Sequence, residues 1–433
     1  MASSAGIEYL LSLPRFTDQG ALAYKPGFER MDALVASMDQ PHTAFQSVHV
    51  AGTNGKGSTA SMLAAIATAS GRRVGLHTSP HLYSVTERMR IDGAPAPEAW
   101  LDDAVARFRT VFDEVRPSFF EATVALSFLY FAEQKVDLAV VEVGLGGRLD
   151  ATNIITPRLA LITNIGLEHT DLLGDTHALI AREKAGIIKP GVPVLTAADH
   201  PEALAVIRTV AAEKEAPCYR VQDEMDIQRV QTTSNGLELD LRTPVCRYDG
   251  LFIGLPGAHQ TWNAALAVRA SEMLWEEVRH DSSSVFQGLR SVRRLSGLRG
   301  RFDVLQEHPA VIADVAHNAE GLAVTLEAVH PLVQAGSSLY VLFGAMRDKD
   351  VERMAALLRH ANAQVYCVSV DSERALGADV LAGMLRKHGV AIFGAGPLRE
   401  GLETFQNCAR RDDVLLITGS HQVVSQVPGG LLT

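Results

Sequence analysis

A glycine-rich stretch, His49-Val-Ala-Gly-Thr-Asn-Gly-Lys-Gly-Ser58, holds the residues whose types and spacing point most directly to chemistry. Its glycines let backbone N–H groups close on an anion, and a helix that starts there adds partial positive charge. Lysine and serine side chains at the helix start can reach phosphate oxygens and a bound magnesium ion. The sequence therefore predicts a nucleoside triphosphate site built from Gly55, Lys56, Gly57 and Ser58. The alternative is an ordinary glycine-rich turn between a strand and a helix.

The spacing within this stretch departs from the usual phosphate-binding loop. That loop has four residues between its first glycine and the Gly-Lys pair. Here two residues separate Gly52 from Gly55-Lys56, and Gly57 stands between Lys56 and Ser58. We interpret the stretch as a shortened variant of the loop.

Other polar residues follow predicted strands. Glu142 lies in an otherwise apolar strand, where an unpaired carboxylate is costly to bury. It is predicted to be a magnesium ligand, or else to hydrogen-bond the glycine-rich loop that follows. His169 follows the next strand and could bind a second divalent ion through a neutral imidazole, although it could equally be an ordinary loop histidine. Spacing alone places Lys184 on a helix face, paired with a carboxylate or pointing to solvent.

The second half of the chain carries a smaller polar group. Asp314 and His317 follow its first predicted strand, where an aspartate can hold ribose hydroxyls or orient the histidine. The alternative is that Asp314 caps the next helix. Asn263, on a predicted helix, and Arg301 could both reach one nucleotide.

Strands and helices alternate along most of the chain, which predicts an α/β fold. We expect an N-terminal P-loop-type domain with a doubly wound, mostly parallel sheet over residues 1–296. A smaller C-terminal Rossmann-like α/β domain would span residues 297–433, after a basic, glycine-containing hinge from Ser291 to Arg301. The phosphate loop, Ser79, Glu142 and His169 all fall near the carboxyl ends of predicted strands, where ligands of such sheets bind. Residues 178–189 are predicted to be helical, and residues 218–256 to be turn-rich and antiparallel.

Composition limits the classes of function. The chain has 433 residues, 47% hydrophobic residues and a net charge of −10, so no broad basic face is expected and nucleic acid is not predicted as a partner. The four cysteines form no Cys-x-x-Cys pair, which favours buried free thiols over a zinc site or disulfides. No uncharged run approaches membrane-spanning length, and the N-terminus lacks a signal-peptide pattern. A cytoplasmic protein that does not enter membranes is expected.

Five motifs occur in an order that resembles a known family. They are Gly52-Thr-Asn-Gly-Lys-Gly-Ser58, Thr78-Ser-Pro-His-Leu82, Glu142-Val-Gly-Leu-Gly-Gly-Arg-Leu-Asp-Ala-Thr-Asn153, Arg182-Glu-Lys-Ala-Gly-Ile187 and Asp314-Val-Ala-His-Asn318. With these motifs in this order, the chain closely resembles the folylpolyglutamate synthase/dihydrofolate synthase branch of the ATP-dependent Mur ligase superfamily. The resemblance runs essentially from end to end.

The resemblance implies roles that spacing leaves open. ATP phosphates would lie on Gly55, Lys56, Gly57 and Ser58. Ser79 and Glu142 would bind a first magnesium ion and His169 a second, with Lys184 carbamylated to help place that second ion. Further ATP contacts are implied for Asn263, Arg301 and Asp314. His317 and Ser420 would arrange the incoming glutamate, and the pteridine-bearing substrate would lie near Tyr24, Lys25, Pro26, Ser118, Phe119, Phe120, Leu149, Asp150 and Ala151.

The implied reaction is ATP-driven amide-bond formation. L-Glutamate would be joined to dihydropteroate and to reduced folates through an acyl phosphate, by a monomer whose partners are small molecules. Closure of the two domains would exclude water from that intermediate. The alternatives are a folylpolyglutamate synthase alone or another Mur-type ligase. A P-loop ATPase without synthetic activity is disfavoured, because it would not need a second α/β domain that carries Asp314 and His317.

Overall fold

The structure is a computed structural model that describes residues 4–15, 27–233 and 235–427. The chain divides into two compact units. Unit 1 contains Met1–Val230, Glu238–Gly254 and Gln260–Leu298, and unit 2 contains Gln231–Leu237, Leu255–His259 and Arg299–Thr433. Because the units interleave along the chain, the domain boundary between residues 296 and 297 stays a prediction.

The large sheet of unit 1 has eight strands. They are β1 (Gln46–Ala51), β2 (Val74–His77), β3 (Met89–Ile91), β4 (Ala94–Pro95), β5 (Leu138–Glu142), β6 (Leu159–Ile162), β7 (Val194–Thr196) and β8 (Cys218–Arg220). Their order is β4-β3-β2-β5-β1-β6-β7-β8. The six strands from β2 to β8 in that order are parallel, whereas β3 and β4 are antiparallel at one edge. After β1 the chain forms β2 to β5 on one side of this strand and then β6 to β8 on the other side. The strand order therefore reverses at β1, where ligands of such sheets bind.

The helices of unit 1 cover this sheet and extend the unit. They are α1 (Ala5–Ser12), α2 (Glu29–Ser37), α3 (Lys56–Ala69), α4 (Glu98–Val115), α5 (Phe119–Glu133), α6 (Thr170–Leu173), α7 (His177–Ala185), α8 (Pro201–Glu213), α9 (Val221–Glu224), α10 (Gln260–Leu274), α11 (Glu276–His280), α12 (Ser283–Arg290) and α13 (Val292–Ser296). Three short 3-10 helices span Pro41–Thr43, Val85–Arg88 and Ala151–Ile154. Helix α5 is apolar on nearly every face, and its Phe128 and Phe131 are fully buried in one core with Ala139 and Val141 of β5. Helix α3 is likewise buried along most of its length, which fixes the glycine loop before it.

A separate sheet has three strands in the order β11-β10-β9. They are β9 (Asp226–Thr233), β10 (Gly236–Arg242) and β11 (Arg247–Ile253).

Unit 2 is built on a six-stranded sheet in the order β12-β13-β17-β14-β15-β16. Its strands are β12 (Asp303–Glu307), β13 (Ala310–Ala313), β14 (Leu339–Phe343), β15 (Gln364–Val368), β16 (Ala391–Gly396) and β17 (Val414–Thr418). All neighbours pair in parallel except β12 with β13. The helices are α14 (Ala319–Val329), α15 (Val351–His360), α16 (Ala378–Lys387), α17 (Leu398–Cys408) and α18 (His421–Val424), with a 3-10 helix at His330–Leu332. The predicted fold class is confirmed in both sheets.

Two predicted elements are wrong in part. The predicted helix over residues 178–189 ends at Ala185, because Pro190 has no N–H to bond the Gly186 carbonyl. The Asn153 side chain donates to that carbonyl instead, at 3.0 Å. The segment from residue 218 was predicted to be antiparallel, yet β8 pairs in parallel with β7 and completes the large sheet.

Within the described ranges, no helix combines the length and the apolar character needed to cross a bilayer. All four cysteines are free thiols. Cys367 is buried and Cys408 is exposed, while Cys218 and Cys246 are half-buried, so the prediction of buried thiols is confirmed for Cys367 alone.

Candidate active site

The glycine loop from Gly52 to Gly55 joins β1 to α3 at the point where the strand order reverses. Gly55 has a φ of +83°, and a side-chain carbon there would lie 2.3 Å from Oδ1 of Asn263, so the position requires glycine. Asn263, on α10, also accepts a hydrogen bond from Thr59 at 3.3 Å. The structure therefore brings Asn263 against the loop that was predicted to hold phosphate. The first N–H groups of α3, from Lys56 onward, have no acceptor within the helix and can bind an anion.

The loop is held in shape by β6 and the turn after it. Asn164 accepts from the Thr53 backbone N–H through its carbonyl and from the Asn54 N–H through its side chain, at 2.9 and 2.7 Å. Thr163 donates to the Asn54 carbonyl at 2.6 Å. Thr163 and Asn164 were not among the predicted site residues. Their position at the carboxyl end of a predicted strand, residues 159–164, was the available signal.

Lys184 is buried beneath the loop rather than on a helix surface. Its Nζ donates to the Gly52 carbonyl at 2.8 Å, and Lys56 Nζ donates to the same oxygen at 3.0 Å. Burial, together with the charge of Lys56, lowers the pKa of Lys184 to about 7, although Glu168 and Asp150 act in the opposite direction. The spacing-based prediction of a surface or carboxylate-paired lysine is therefore wrong. A helix-period pattern does not show which face meets a distant loop.

Glu142, the last residue of β5, is almost fully buried. Its Oε2 accepts a hydrogen bond from the backbone N–H of Ser79 at 3.0 Å, which places the two predicted magnesium ligands side by side. Arg88 is also buried, and its pKa is lowered to about 10 by burial, against the attraction of Glu142 and Glu87. The guanidinium therefore stays charged at neutral pH. Arg88 was not among the predicted site residues, although the charged residues within the run from Val85 to Ile91 were a possible signal.

His169 lies at the start of α6 with a left-handed backbone at a φ of +53°. Across residues 4–15, 27–233 and 235–427, no three His, Cys, Asp or Glu side chains gather into a preformed metal site. Mg²⁺ is commonly held by one or two carboxylates together with substrate phosphates and water. The Glu142 carboxylate and the Ser79 hydroxyl are hard oxygen donors of that kind, so this pair fits a magnesium ion that also binds a nucleotide.

Among the predicted substrate residues that the structure describes, Phe120 contacts the loop that follows β5, and Leu149 and Asp150 belong to that loop. The Phe120 ring lies over Gly144, where a side-chain carbon would be 2.4 Å from the ring. Phe119 packs against His81, with ring centroids 6.1 Å apart. Ser118 caps α5 by accepting from the Glu121 N–H, while the Glu121 carboxylate accepts from the Ser118 N–H in return. Phe119 and Phe120 therefore form an aromatic wall beside the loop that follows β5.

The loop after β5 ends with Leu149 and Asp150, and Asp150 is the N-cap of the short 3-10 helix that begins at Ala151. Asp150 is buried, and its carboxylate accepts from the backbone N–H groups of Leu145 and Thr152 at 2.8 and 3.0 Å. Burial raises the pKa of Asp150, and these donors oppose the rise. The predicted substrate residues Tyr24, Lys25 and Pro26 lie outside the described residues.

In unit 2, Asp314 follows β13 and holds the surrounding backbone. Its carboxylate accepts from the N–H groups of Phe302 and Ala316 at 2.8 and 2.9 Å and from the Thr325 hydroxyl at 3.1 Å. Helix α14 is capped by Asn318 instead, so the alternative role of Asp314 as a helix cap is wrong.

The remaining predicted residues of unit 2 lie on neighbouring loops. His317 donates from Nδ1 to the Val315 carbonyl at 3.1 Å, and its ring is 5.8 Å from that of His421. Ser420 is buried and caps α18 by accepting from the Val423 N–H. Arg301 donates to the Gly300 carbonyl at 3.3 Å. Loops after β13 and β17, which are adjacent strands, thus carry His317 and Ser420.

Comparison with known proteins places this geometry in a family. The Mur ligase middle domain matches residues 50–271, and the Mur ligase glutamate ligase domain matches residues 300–421. A Bacillus subtilis protein named dihydrofolate synthase/folylpolyglutamate synthase is 38% identical over 359 residues, which cover 81% of this chain and 83% of that protein.

Solved structures agree. Mycobacterium tuberculosis folylpolyglutamate synthase, complexed with ADP and AMPPCP, matches with a TM-score of 0.88 and 30% identity, covering 97% of this chain and 98% of that one. Escherichia coli FolC in complex with DHPP and ADP matches with a TM-score of 0.85 and 28% identity, covering 99% and 98%. The chain therefore belongs to the Mur ligase family, in the branch of dihydrofolate synthase/folylpolyglutamate synthase, and is an ATP-dependent ligase.

Proposed function

We propose that the protein joins L-glutamate to dihydropteroate, giving dihydrofolate, and to reduced folates, giving folylpolyglutamates, with release of ADP and phosphate. The observation that carries this proposal is the shortened glycine loop at the switch point of the large sheet, with Asn263 on one side and Lys184 beneath it. The two acceptors are proposed because similar proteins are named dihydrofolate synthase/folylpolyglutamate synthase. The alternatives are folylpolyglutamate synthesis alone and ligation of a different carboxylate.

The chemistry needs two steps because a free carboxylate has no adequate leaving group. A carboxylate oxygen of the acceptor attacks the γ-phosphorus of ATP, ADP leaves, and an acyl phosphate forms. The α-amine of glutamate then attacks the acyl carbon, loses a proton, and phosphate leaves. Lys56, at the start of α3, would neutralise the charge that builds on the transferring phosphoryl group.

Magnesium is part of the proposal. Ser79 and Glu142 would hold one ion and His169 a second, a donor set of hard oxygens and one imidazole nitrogen. When bound, Mg²⁺ would neutralise phosphate oxygens and keep the attacking and leaving groups in line. Glu142 suits that task because it is a buried carboxylate whose Oε2 is already oriented by the Ser79 N–H.

Lys184 is proposed to be carbamylated. Carbamylation requires the neutral amine, and a pKa of about 7 provides it at neutral pH. The modification would replace a buried ammonium group, close to Lys56, by an anionic one. This change removes a like-charge repulsion beneath the loop and supplies oxygen atoms for the second metal ion.

Nucleotide, glutamate and pteridine contacts complete the assignment. Asn263 in unit 1 and Arg301 and Asp314 in unit 2 are proposed to contact ATP, and His317 and Ser420 to arrange glutamate. The pteridine would be held by the aromatic wall and the loop after β5, that is by Ser118, Phe119, Phe120, Leu149, Asp150 and Ala151, together with Tyr24, Lys25 and Pro26.

We further propose a monomer that works in the cytoplasm. The glycine loop, Lys184, Glu142 and Asn263 all come from one chain, so unit 1 borrows none of them from a second copy. Four free thiols are typical of a reducing compartment. A single mass of one chain in light scattering supports the monomer, and a mass of two chains at assay concentration refutes it.

The function is tested by measuring ADP formation with dihydropteroate and, separately, with tetrahydrofolate, each with and without L-glutamate. The proposal predicts glutamate-dependent ADP formation with both acceptors. Activity with tetrahydrofolate alone would reduce the protein to a folylpolyglutamate synthase. Steady ADP release without an acceptor would identify an ATPase and overturn the proposal.

A further inference from the structure

A chain of buried polar side chains leads from the centre of the large sheet to the loop after β5. His49, in β1, places Nε2 at 2.8 Å from the Thr152 hydroxyl oxygen. Thr152 in turn donates this hydroxyl to Oδ1 of Asp150. All three side chains are buried. A histidine in the middle of a central parallel strand has no packing advantage over an aliphatic residue, so its polar contact requires an explanation.

Asp150 determines the shape of this loop. Its Oδ1 accepts the Thr152 N–H and the Thr152 hydroxyl, while its Oδ2 accepts the Leu145 N–H. One carboxylate thus ties the beginning of the loop to the 3-10 helix at its end. With donors on both oxygens, Asp150 acts as an acceptor at each of them.

The proton on His49 follows from this arrangement. The single Thr152 proton is directed to Asp150, so the Thr152 oxygen offers His49 only lone pairs, and Nε2 must carry a proton. In the opposite tautomer the Thr152 proton would turn to His49. The Thr152 oxygen and Asp150 Oδ1 would then face each other, 2.5 Å apart, without a proton between them. Within the part of the chain that the structure describes, no group hydrogen-bonds His49 Nδ1, so Nδ1 is not held as a donor.

His49 stays neutral across the working pH range. Burial, the charge of Lys189 and the neighbouring His77 lower the pKa of His49 to about 3. The ring therefore serves as a fixed hydrogen-bond donor and not as an acid or a base.

We propose that His49 is a positioning residue. Its Nε2–H donates to the Thr152 hydroxyl, the hydroxyl donates to Asp150, and these two hydrogen bonds hold the loop from Leu145 to Thr152 in its substrate-binding shape. This inference rests on the proposed function, because it assigns Leu149, Asp150 and Ala151 to the pteridine-bearing substrate. The alternative is a histidine that only fills space in the core.

A matched pair of variants separates the two. The amide nitrogen of Gln reaches the position of histidine Nε2, whereas the shorter Asn places its amide at the position of Nδ1. The experiment measures KM for dihydropteroate, KM for ATP, kcat and the thermal unfolding midpoint for wild type, His49→Gln and His49→Asn. We expect His49→Asn to raise KM for dihydropteroate about 10-fold, the effect of losing about one hydrogen bond, with KM for ATP and kcat within about 2-fold. His49→Gln should restore KM for dihydropteroate to within about 2-fold of wild type.

Equal KM values for dihydropteroate in the two variants would overturn the proposal. A second measurement covers the case in which a variant does not fold. Nitrogen-15 NMR of histidine-labelled wild type should show the His49 proton on Nε2. A proton on Nδ1 would overturn the proposal, because His49 could then not donate to Thr152. If the proposed function is wrong, wild type will release no ADP with dihydropteroate and L-glutamate. The NMR measurement would still determine which nitrogen of His49 carries the proton.

Discussion

Lys56 and Lys184 donate to the same acceptor, since their Nζ atoms lie 3.0 and 2.8 Å from the Gly52 carbonyl oxygen. The two residues are far apart in sequence, and their ammonium groups would repel each other in a buried site. Burial, together with the charge of Lys56, lowers the pKa of Lys184 to about 7, and the resulting loss of charge reduces this repulsion. The same lysine pair that shapes the glycine loop therefore leaves one amine ready to react.

The first prediction concerns the reaction of that amine with carbon dioxide. Ligase activity should fall in buffer depleted of CO₂ and return on addition of bicarbonate, because the neutral amine of Lys184 forms a carbamate. Carbon-13 NMR with labelled bicarbonate should show a carbamate signal in wild type and in the exposed control variant Lys214→Met, but not in Lys184→Met. Unchanged activity without CO₂, together with no carbamate signal in wild type, would rule out the modification.

Lys184 should also make stability depend on pH in CO₂-free buffer. Its folded-state pKa of about 7 lies below the ordinary value of 10.5, so between these pH values the unfolded chain binds a proton that the folded chain lacks. The free energy of unfolding therefore gains a contribution that rises with pH across this window, by on the order of 1 kcal/mol per pH unit. Below pH 7 the full penalty of the buried charge remains.

Chemical denaturation of wild type and Lys184→Met measures this contribution. The stability advantage of Lys184→Met should be largest below pH 7 and should shrink as the pH rises toward 10.5. A difference that stays constant over that range would show that the lysine titrates normally.

Gly55 and Gly71 provide a matched test of the glycine loop. Both have a left-handed backbone, with φ of +83° and +86°, but an added side-chain carbon meets Asn263 only at Gly55 and meets nothing within 4 Å at Gly71. Gly55→Ala should raise KM for ATP at least about 10-fold, because the loop and Asn263 must separate. Gly71→Ala should lose only about 1 kcal/mol of stability and keep KM for ATP. Equal KM for ATP in the two variants would count against the loop as the nucleotide site.

Glu142 is predicted to serve magnesium binding. Glu142→Ala should lower turnover at least about 100-fold, the scale of losing one main electrostatic group. Its residual activity should require more Mg²⁺ than that of wild type. Glu213→Gln, which removes an exposed carboxylate, is the control and should match wild type in both respects. Near-normal ligation by Glu142→Ala would refute the assignment.

Local patterns in the sequence predicted the elements that carry the glycine loop and Glu142. The apolar run of β5 and the glycine-to-helix transition at Gly55 are signals that lie within a few residues. Strand β3, which lies between β4 and β2, was not predicted, because it has only three residues and the charged Arg90 within it is typical of a surface position. Arg90 is nevertheless buried, since its guanidinium donates to the Thr78 hydroxyl at 3.1 Å and forms an ion pair with Glu87 at 3.5 Å.

Contacts between distant parts of the chain account for the remaining errors. Lys184 is buried because its helix packs so that its amine reaches the Gly52 carbonyl, 132 positions away in sequence. His49 had no distinguishing local signal, because its meaning depends on Thr152, which lies 103 positions later. Helical or strand periodicity identifies a face, but it does not identify the partner of that face.

The central claim is that the carboxylate of the acceptor is phosphorylated before glutamate attacks. It is tested most directly with dihydropteroate in which both carboxylate oxygens are oxygen-18, in a reaction with ATP and L-glutamate, followed by mass spectrometry of the released phosphate. An acyl phosphate predicts one oxygen-18 atom in each phosphate released. Phosphate without the label, formed alongside dihydrofolate, would contradict the account.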